Sequence, residues 1–151
     1  MKTQLNGNPV KILLVEDNPG DIRLTQEALR EGKVNNEMYI ATNGLEALDF
    51  LSQKGQYVHA PRPDVILLDL NLPLMNGVEI LANIKADSHL KRIPVIVLTT
   101  SEDEQDILKS YDLHANAYVT KPVDLERFID IIGQIEGFWL TIVKLPPTEQ
   151  S

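Results

Sequence analysis

Asp64-Val65-Ile66-Leu67-Leu68-Asp69-Leu70-Asn71 is the stretch on which the fold turns. Four apolar residues in an unbroken row suit a strand buried on both faces, as in a parallel sheet with helices on either side. An acid then stands at the strand's carboxyl edge, where a charge is less easily dismissed as surface. Working outward, the pattern repeats. Val10–Val15, Glu37–Ala41, Val95–Leu98 and Ala117–Val119 read as strands, with Asp64–Leu68 third among five.

Helix-start chemistry fills the intervals. Asn18 precedes Pro19, a favourable first helical residue. Asn43 with Glu46, Asn76 with Glu79 and Ser101 with Glu104 have the spacing of capping boxes. Asp124 caps a last helix, and Gly32 and Gly55 stand where the first two helices should stop. Five consecutive βα units predict an α/β three-layer sandwich, a five-stranded parallel sheet flanked by five helices; the strand order 2-1-3-4-5 is adopted by analogy with flavodoxin-like folds of this kind. Residues 1–9 read as a loose arm, residues 10–136 as the domain, and residues 137–151 as an apolar extension that the five units do not require.

Composition narrows the function. The chain has 151 residues with 43% apolar and 24% charged, ordinary values for one globular domain. Its charge is −8 and it contains no cysteine, which removes disulfides, thiolate metal sites and thiol catalysis. A pI near 4.8 without a basic run argues against nucleic acid. No apolar run approaches the ~18 residues of a membrane span, and no secretory signal opens the chain. The expectation is a cytoplasmic protein that engages neither membrane nor nucleic acid.

The strand ends carry the chemistry. The first ends Leu14-Val15-Glu16-Asp17-Asn18 and the third Leu68-Asp69-Leu70-Asn71. In the order above these strands are neighbours, which brings Glu16, Asp17 and Asp69 together. Two carboxylates about 4 Å apart repel by roughly 4 kcal/mol at an effective dielectric of 20, so a divalent cation is expected among the three. The fourth strand supplies Thr99-Thr100-Ser101 and the fifth Thr120-Lys121-Pro122. Acids, hydroxyl and ammonium together suit a phosphoryl group: a carboxylate as nucleophile, cations against its charge, a hydroxyl on one oxygen. Singly, each residue reads as an ordinary loop or surface group; their convergence is what points to a site.

These motifs, with Asn43-Gly44-Leu45-Glu46-Ala47-Leu48, Met75-Asn76-Gly77 and Tyr118-Val119-Thr120-Lys121-Pro122, resemble the receiver domain of two-component response regulators over about Val10 to Glu136. The resemblance implies that Asp69 accepts a phosphoryl group from a sensor histidine kinase. It implies direct Mg²⁺ (or Mn²⁺) coordination by Asp17 and Asp69, the backbone carbonyl of Asn71 as a further ligand, and Glu16 acting through water. Thr99 and Lys121 would hold phosphoryl oxygens, and the Lys121–Pro122 bond would be cis. Tyr118 would be a switch that moves inward when Thr99 is drawn to the phosphoryl group. Asn71-Leu72-Pro73, Leu98-Thr99-Thr100-Ser101 and Gly137-Phe138-Trp139-Leu140 are similar to the stand-alone regulators that partner cyanobacterial phytochromes, which implies a phytochrome-type kinase upstream. Asn71 and Ser101 flank the site and are uncharged, so neither would strongly attract or repel an attacking water.

Other features read as structural. His59, His89 and His114 lack metal-ligand spacing. Glu102-Asp103-Glu104 with Asp106 places acid at a helix start, where the dipole favours it. Leu125, Phe128, Ile129, Ile132 and Ile135 form a stripe facing the sheet, while Ile131 falls off it. With Phe138, Trp139 and Leu140, Ile131 is the candidate surface of a homodimer. Two rival functions remain: an aspartyl-phosphate hydrolase of the haloacid-dehalogenase type, which wants an acid where Asn71 stands, and a flavin carrier, whose phosphate the acidic Glu16–Asp21 loop would repel.

Overall fold

A computed structural model describes residues 9–31, 35–72, 75–100, 104, 106, 108, 109, 113, 115, 117–121, 124, 126 and 127. Five strands form one parallel sheet in the order β2-β1-β3-β4-β5: β1 (Val10–Val15), β2 (Asn36–Ala41), β3 (Val65–Asp69), β4 (Val95–Thr99) and β5 (Ala117–Thr120). Three helices are described along their length: α1 (Pro19–Glu31), α2 (Gly44–Ser52) and α3 (Gly77–Ala86). Between β4 and β5, Glu104, Asp106, Leu108 and Lys109 are helical, as are Glu126 and Arg127 after β5. These residues fall within the stretches expected to form the fourth and fifth helices, whose remaining residues lie outside the described ones.

Alternation along the strands sorts the core into two layers, because successive strand residues face opposite sides. Leu13, Val15, Ile66, Leu68, Val95 and Val97 face Ala47, Phe50, Ile80, Ile84 and Leu108. Val10, Ile12, Leu14, Val65, Leu67, Ile96, Leu98 and Val119 face Ile22 and Leu29 of α1. Both faces of the central strands are covered, which is why Leu13–Val15, Val65–Leu68 and Val95–Leu98 read as continuous apolar runs.

Local signals held in part. Asn18 Oδ1 accepts from the Asp21 N–H at 3.0 Å, and Asn76 and Glu79 close a complete capping box. Asn43 Oδ1 accepts from the Glu46 N–H at 2.9 Å, but Glu46 answers one residue early, accepting from the Thr42 N–H and hydroxyl. Glu104 likewise accepts from Thr100, the residue before the expected cap. Asp124 Oδ1 accepts from the Glu126 N–H at 3.3 Å. Gly55 does not end α2. The left-handed residue there is Gln53 (φ 57°, ψ 48°), whose Nε2 donates to the Ala60 carbonyl at 2.6 Å and anchors the turn. Gly55 (φ +59°) instead opens a short 3-10 turn through Tyr57. Gly32 lies outside the described residues. Among those described, no helix is long and apolar enough to cross a membrane.

Candidate metal and phosphoryl site

Register places the site. Val15 pairs with Leu68, Asp69 with Leu98 and Thr99 with Thr120, so four strands end along one edge. The order reverses between β2-β1 and β3-β4-β5, and ligands of open α/β sheets bind outside the carboxyl ends at such a switch point. The Glu16 N–H donates to the Ala41 carbonyl at 3.0 Å and the Lys121 N–H to the Thr99 carbonyl at 2.8 Å, extending the ladder beyond the strands.

Carboxylate oxygens of Glu16, Asp17 and Asp69 lie within 4.8 Å of one another. Asp17 is exposed, whereas Glu16 and Asp69 are buried. Lys121 Nζ donates to Asp21 Oδ2 at 2.9 Å, Asp69 Oδ2 at 3.3 Å and Glu16 Oε1 at 3.4 Å. Asn71 donates its backbone N–H to Asp69 Oδ1 at 3.1 Å, and Asn18 does the same for Glu16 Oε2 at 3.3 Å. Asp69 thus meets one ammonium and one amide from separate segments.

The electrostatics are those of crowded acid. Burial, with the hydrogen bond and repulsion from Asp69, pushes the Glu16 carboxyl up to about 7 against the pull of Lys121. Burial pulls the Lys121 ammonium down, but its bond to Asp21 and the charges of Asp69 and Glu16 outweigh that and hold its pKa above the usual lysine range. Three hard oxygen donors beside a single ammonium fit Mg²⁺ or Mn²⁺, which prefer carboxylates and water to softer ligands.

Thr99 is fully buried, and its Oγ1 has no hydrogen-bond partner among the described residues. An unpaired buried hydroxyl costs about 1–3 kcal/mol, an expense that an incoming oxygen acceptor would relieve. Tyr118, opposite Val97, packs partly buried against the same core layer.

Two residues of this edge were not singled out from the sequence. Asp21, in the first turn of α1, makes the shortest of the three carboxylate bonds to the Lys121 ammonium. Its position within the acidic Glu16–Asp21 segment was the available signal. Glu104 accepts from Asn71 Nδ2 at 2.7 Å, so Asn71, though uncharged, is fastened to a charged partner. Ile131, Pro122, Ser101, His114, Phe138, Trp139 and Leu140 lie outside the described residues, and with them the cis bond and the dimer surface. His59 is exposed. His89 takes part through its backbone, its carbonyl accepting from Arg62.

Fold and edge together define a phosphoacceptor module of the receiver class, and the chain belongs to that family: the response regulator receiver domain matches residues 12–133. It is 51% identical over 140 residues to response regulator Rcp1 of Synechocystis sp., covering 92% of this chain and 95% of that one. Among solved structures, the phosphorylated cyanobacterial phytochrome response regulator RcpA is 53% identical with a TM-score of 0.73, covering 92% and 99%. The Mn²⁺-bound form of Rcp1 is 51% identical with a TM-score of 0.71, covering 91% and 99%. The family fits the site's oxygen-donor chemistry, since receivers hold Mg²⁺ or Mn²⁺ in an acidic pocket of this kind. It does not fit the hydrolase alternative, whose second acid is missing at Asn71.

Proposed function

We propose that Asp69 is the phosphoacceptor, and that the chain relays a signal by protein–protein contact. The observation that carries this is the gathering of Glu16, Asp17 and Asp69 around one point while Lys121 contacts Asp69 directly. A carboxylate oxygen of Asp69 attacks the phosphorus of a phosphohistidine. The O–P bond forms as the N–P bond breaks, and the imidazole leaves with the electron pair and takes up a proton. Lys121 sets its ammonium against charge on the transferring group, and the Thr99 hydroxyl donates to one of its oxygens. Asp17, Asp69, the Asn71 backbone carbonyl and, through water, Glu16 would hold a Mg²⁺ ion, which supplies further charge neutralisation.

The relatives support a phytochrome-type histidine kinase as the donor, acting in the cytoplasm. Tyr118, on the same sheet face as Thr99, is the residue we assign as the switch. Residues 10–136 would be the receiver and residues 1–9 an arm. The extension 137–151 would form a homodimer with Ile131, Phe138, Trp139 and Leu140. Equal monomeric masses for the full chain and for one ending at Glu136 would refute that dimer.

Incubation with an autophosphorylated phytochrome-type kinase tests the donor. Label should move from the kinase to this chain and fail to move to Asp69→Asn. Retention on the kinase in the presence of the wild-type chain and Mg²⁺ would contradict the reading.

A further inference from the structure

Two loops flank Asp69, one after β3 that carries Asn71 and one after β4 that carries Thr100. Glu104, in the helical stretch following β4, joins them. Its Oε1 accepts from the Thr100 N–H at 2.9 Å, and its Oε2 accepts from Thr100 Oγ1 at 3.2 Å and Asn71 Nδ2 at 2.7 Å. The same device occurs after β2, where Glu46 Oε1 accepts from the Thr42 N–H at 2.9 Å and from Thr42 Oγ1 at 3.1 Å. There the glutamate serves its own turn. At Glu104 the second oxygen also reaches a residue 33 positions away, whose backbone N–H bonds Asp69 itself.

We infer that Glu104 is a positioning residue for the aspartyl phosphate. It fastens the Asn71 carboxamide toward the helix start and so withholds that group from water near Asp69. A carboxamide both donates and accepts, and beside an acyl phosphate it can orient a water for attack. In that hydrolysis the water oxygen bonds phosphorus, the bond between phosphorus and Asp69 breaks, and the water's proton passes to solvent. A short bond to a carboxylate is among the stronger hydrogen bonds a neutral amide can make, so the tether holds the carboxamide against competition from water. The inference rests on Asp69 being the phosphoacceptor.

The test follows decay of the phosphorylated full-length chain by intact mass, after labelling with acetyl phosphate and Mg²⁺ and removal of the donor. Glu104→Ala should shorten the lifetime by about three- to tenfold, the scale set by orienting one reactant. The double variant Asn71→Ala/Glu104→Ala should match Asn71→Ala alone within about twofold, because the freed carboxamide is gone. Glu104→Gln, which can still bond Thr100 and a flipped Asn71 amide, should rescue the lifetime. General loosening of the fold would speed decay whatever stands at residue 71. A Glu104→Ala lifetime within about twofold of wild type, or an acceleration that persists in full when Asn71 is Ala, overturns the proposal. If Glu104→Ala folds poorly, Glu104→Asp, whose shorter arm cannot span both loops, carries the same comparison. Failure of the wild type to label, or labelling that survives Asp69→Asn, would instead remove the underlying phosphoacceptor reading.

Discussion

Lys121 is the single cation that reaches into the acid cluster among the described residues, and it divides its three donors among Asp21, Asp69 and Glu16. Removing one partner from a mostly buried ionic cluster leaves the others uncompensated, which costs more than an exposed pair would. Lys121→Ala should therefore lower metal-free stability by about 2–3 kcal/mol in urea denaturation, and Mg²⁺ should restore part of the loss. An unchanged urea midpoint would show that the ammonium is not what holds the acids together. Glu16, Asp17, Asp69, Thr99 and Lys121 were legible in the sequence because each sits at or just beyond a strand end, and parallel strands bring their ends to one edge. Asp21 and Glu104 were not, because helix-turn acids are ordinary dipole partners until the turn's exact path shows what they touch.

Elements hold these residues by tight approach as well as by hydrogen bonds. The Gly77 N–H donates to the Leu70 carbonyl at 3.0 Å, and a Cβ at Gly77 would stand 2.6 Å from Leu70 Cα and 2.9 Å from the Asp69 carbonyl oxygen. Backbone cannot give way as a side-chain tip can, so Gly77→Ala should cost about 2–3 kcal/mol and also slow phosphoryl uptake by displacing Asp69. A variant with wild-type stability and uptake would mean that the α3 start moves freely. At the far end of α3, Asp87 accepts from the His89 and Leu90 N–H groups at 2.8 and 3.1 Å, and these bonds hold its carboxyl below the usual carboxylate range. A depressed folded pKa contributes stability above the ordinary value of 3.8 that is lost as pH falls through the lowered one. Asp87→Ala should be less stable than wild type at neutral pH, with the gap in urea midpoint shrinking below pH 3.8. A gap that stays constant with pH would assign the loss to packing instead. Strand limits agree within one residue, and for the central strands β1, β3 and β4 the reason is two-sided burial, which leaves an unbroken apolar signature. The end of α2 was misplaced because Gln53 takes the left-handed turn usually left to glycine, anchored by its own side chain on Ala60. Nothing in residue type announces that.

At the scale of the molecule, the net charge of −8 and the convergence of three carboxylates make the metal-free fold bear its own repulsion. Mg²⁺ binding the folded state alone should raise stability by about 2.7 kcal/mol at a hundred times its dissociation constant, read as a rise in Tm. Asp17→Asn should raise the metal-free Tm and flatten the Mg²⁺ response, since an exposed acid is removed from the cluster without opening a cavity. A full Mg²⁺ response in that variant would move the ion elsewhere. The parallel sheet and its covered faces followed from alternating strand and helix signals, whereas the strand order that brings the candidate site to one edge came by analogy with flavodoxin-like folds. The subunit arrangement does not, because an apolar tail can close over its own domain or over a second one.

Intact mass after acetyl phosphate is the most direct measurement of what Asp69 does. Wild-type chain with Mg²⁺ should gain the mass of one phosphoryl group, and the gain should vanish with a chelator or with Asp69→Asn. A phosphoryl adduct on the Asp69→Asn chain, or one that forms equally without a divalent cation, would contradict the account.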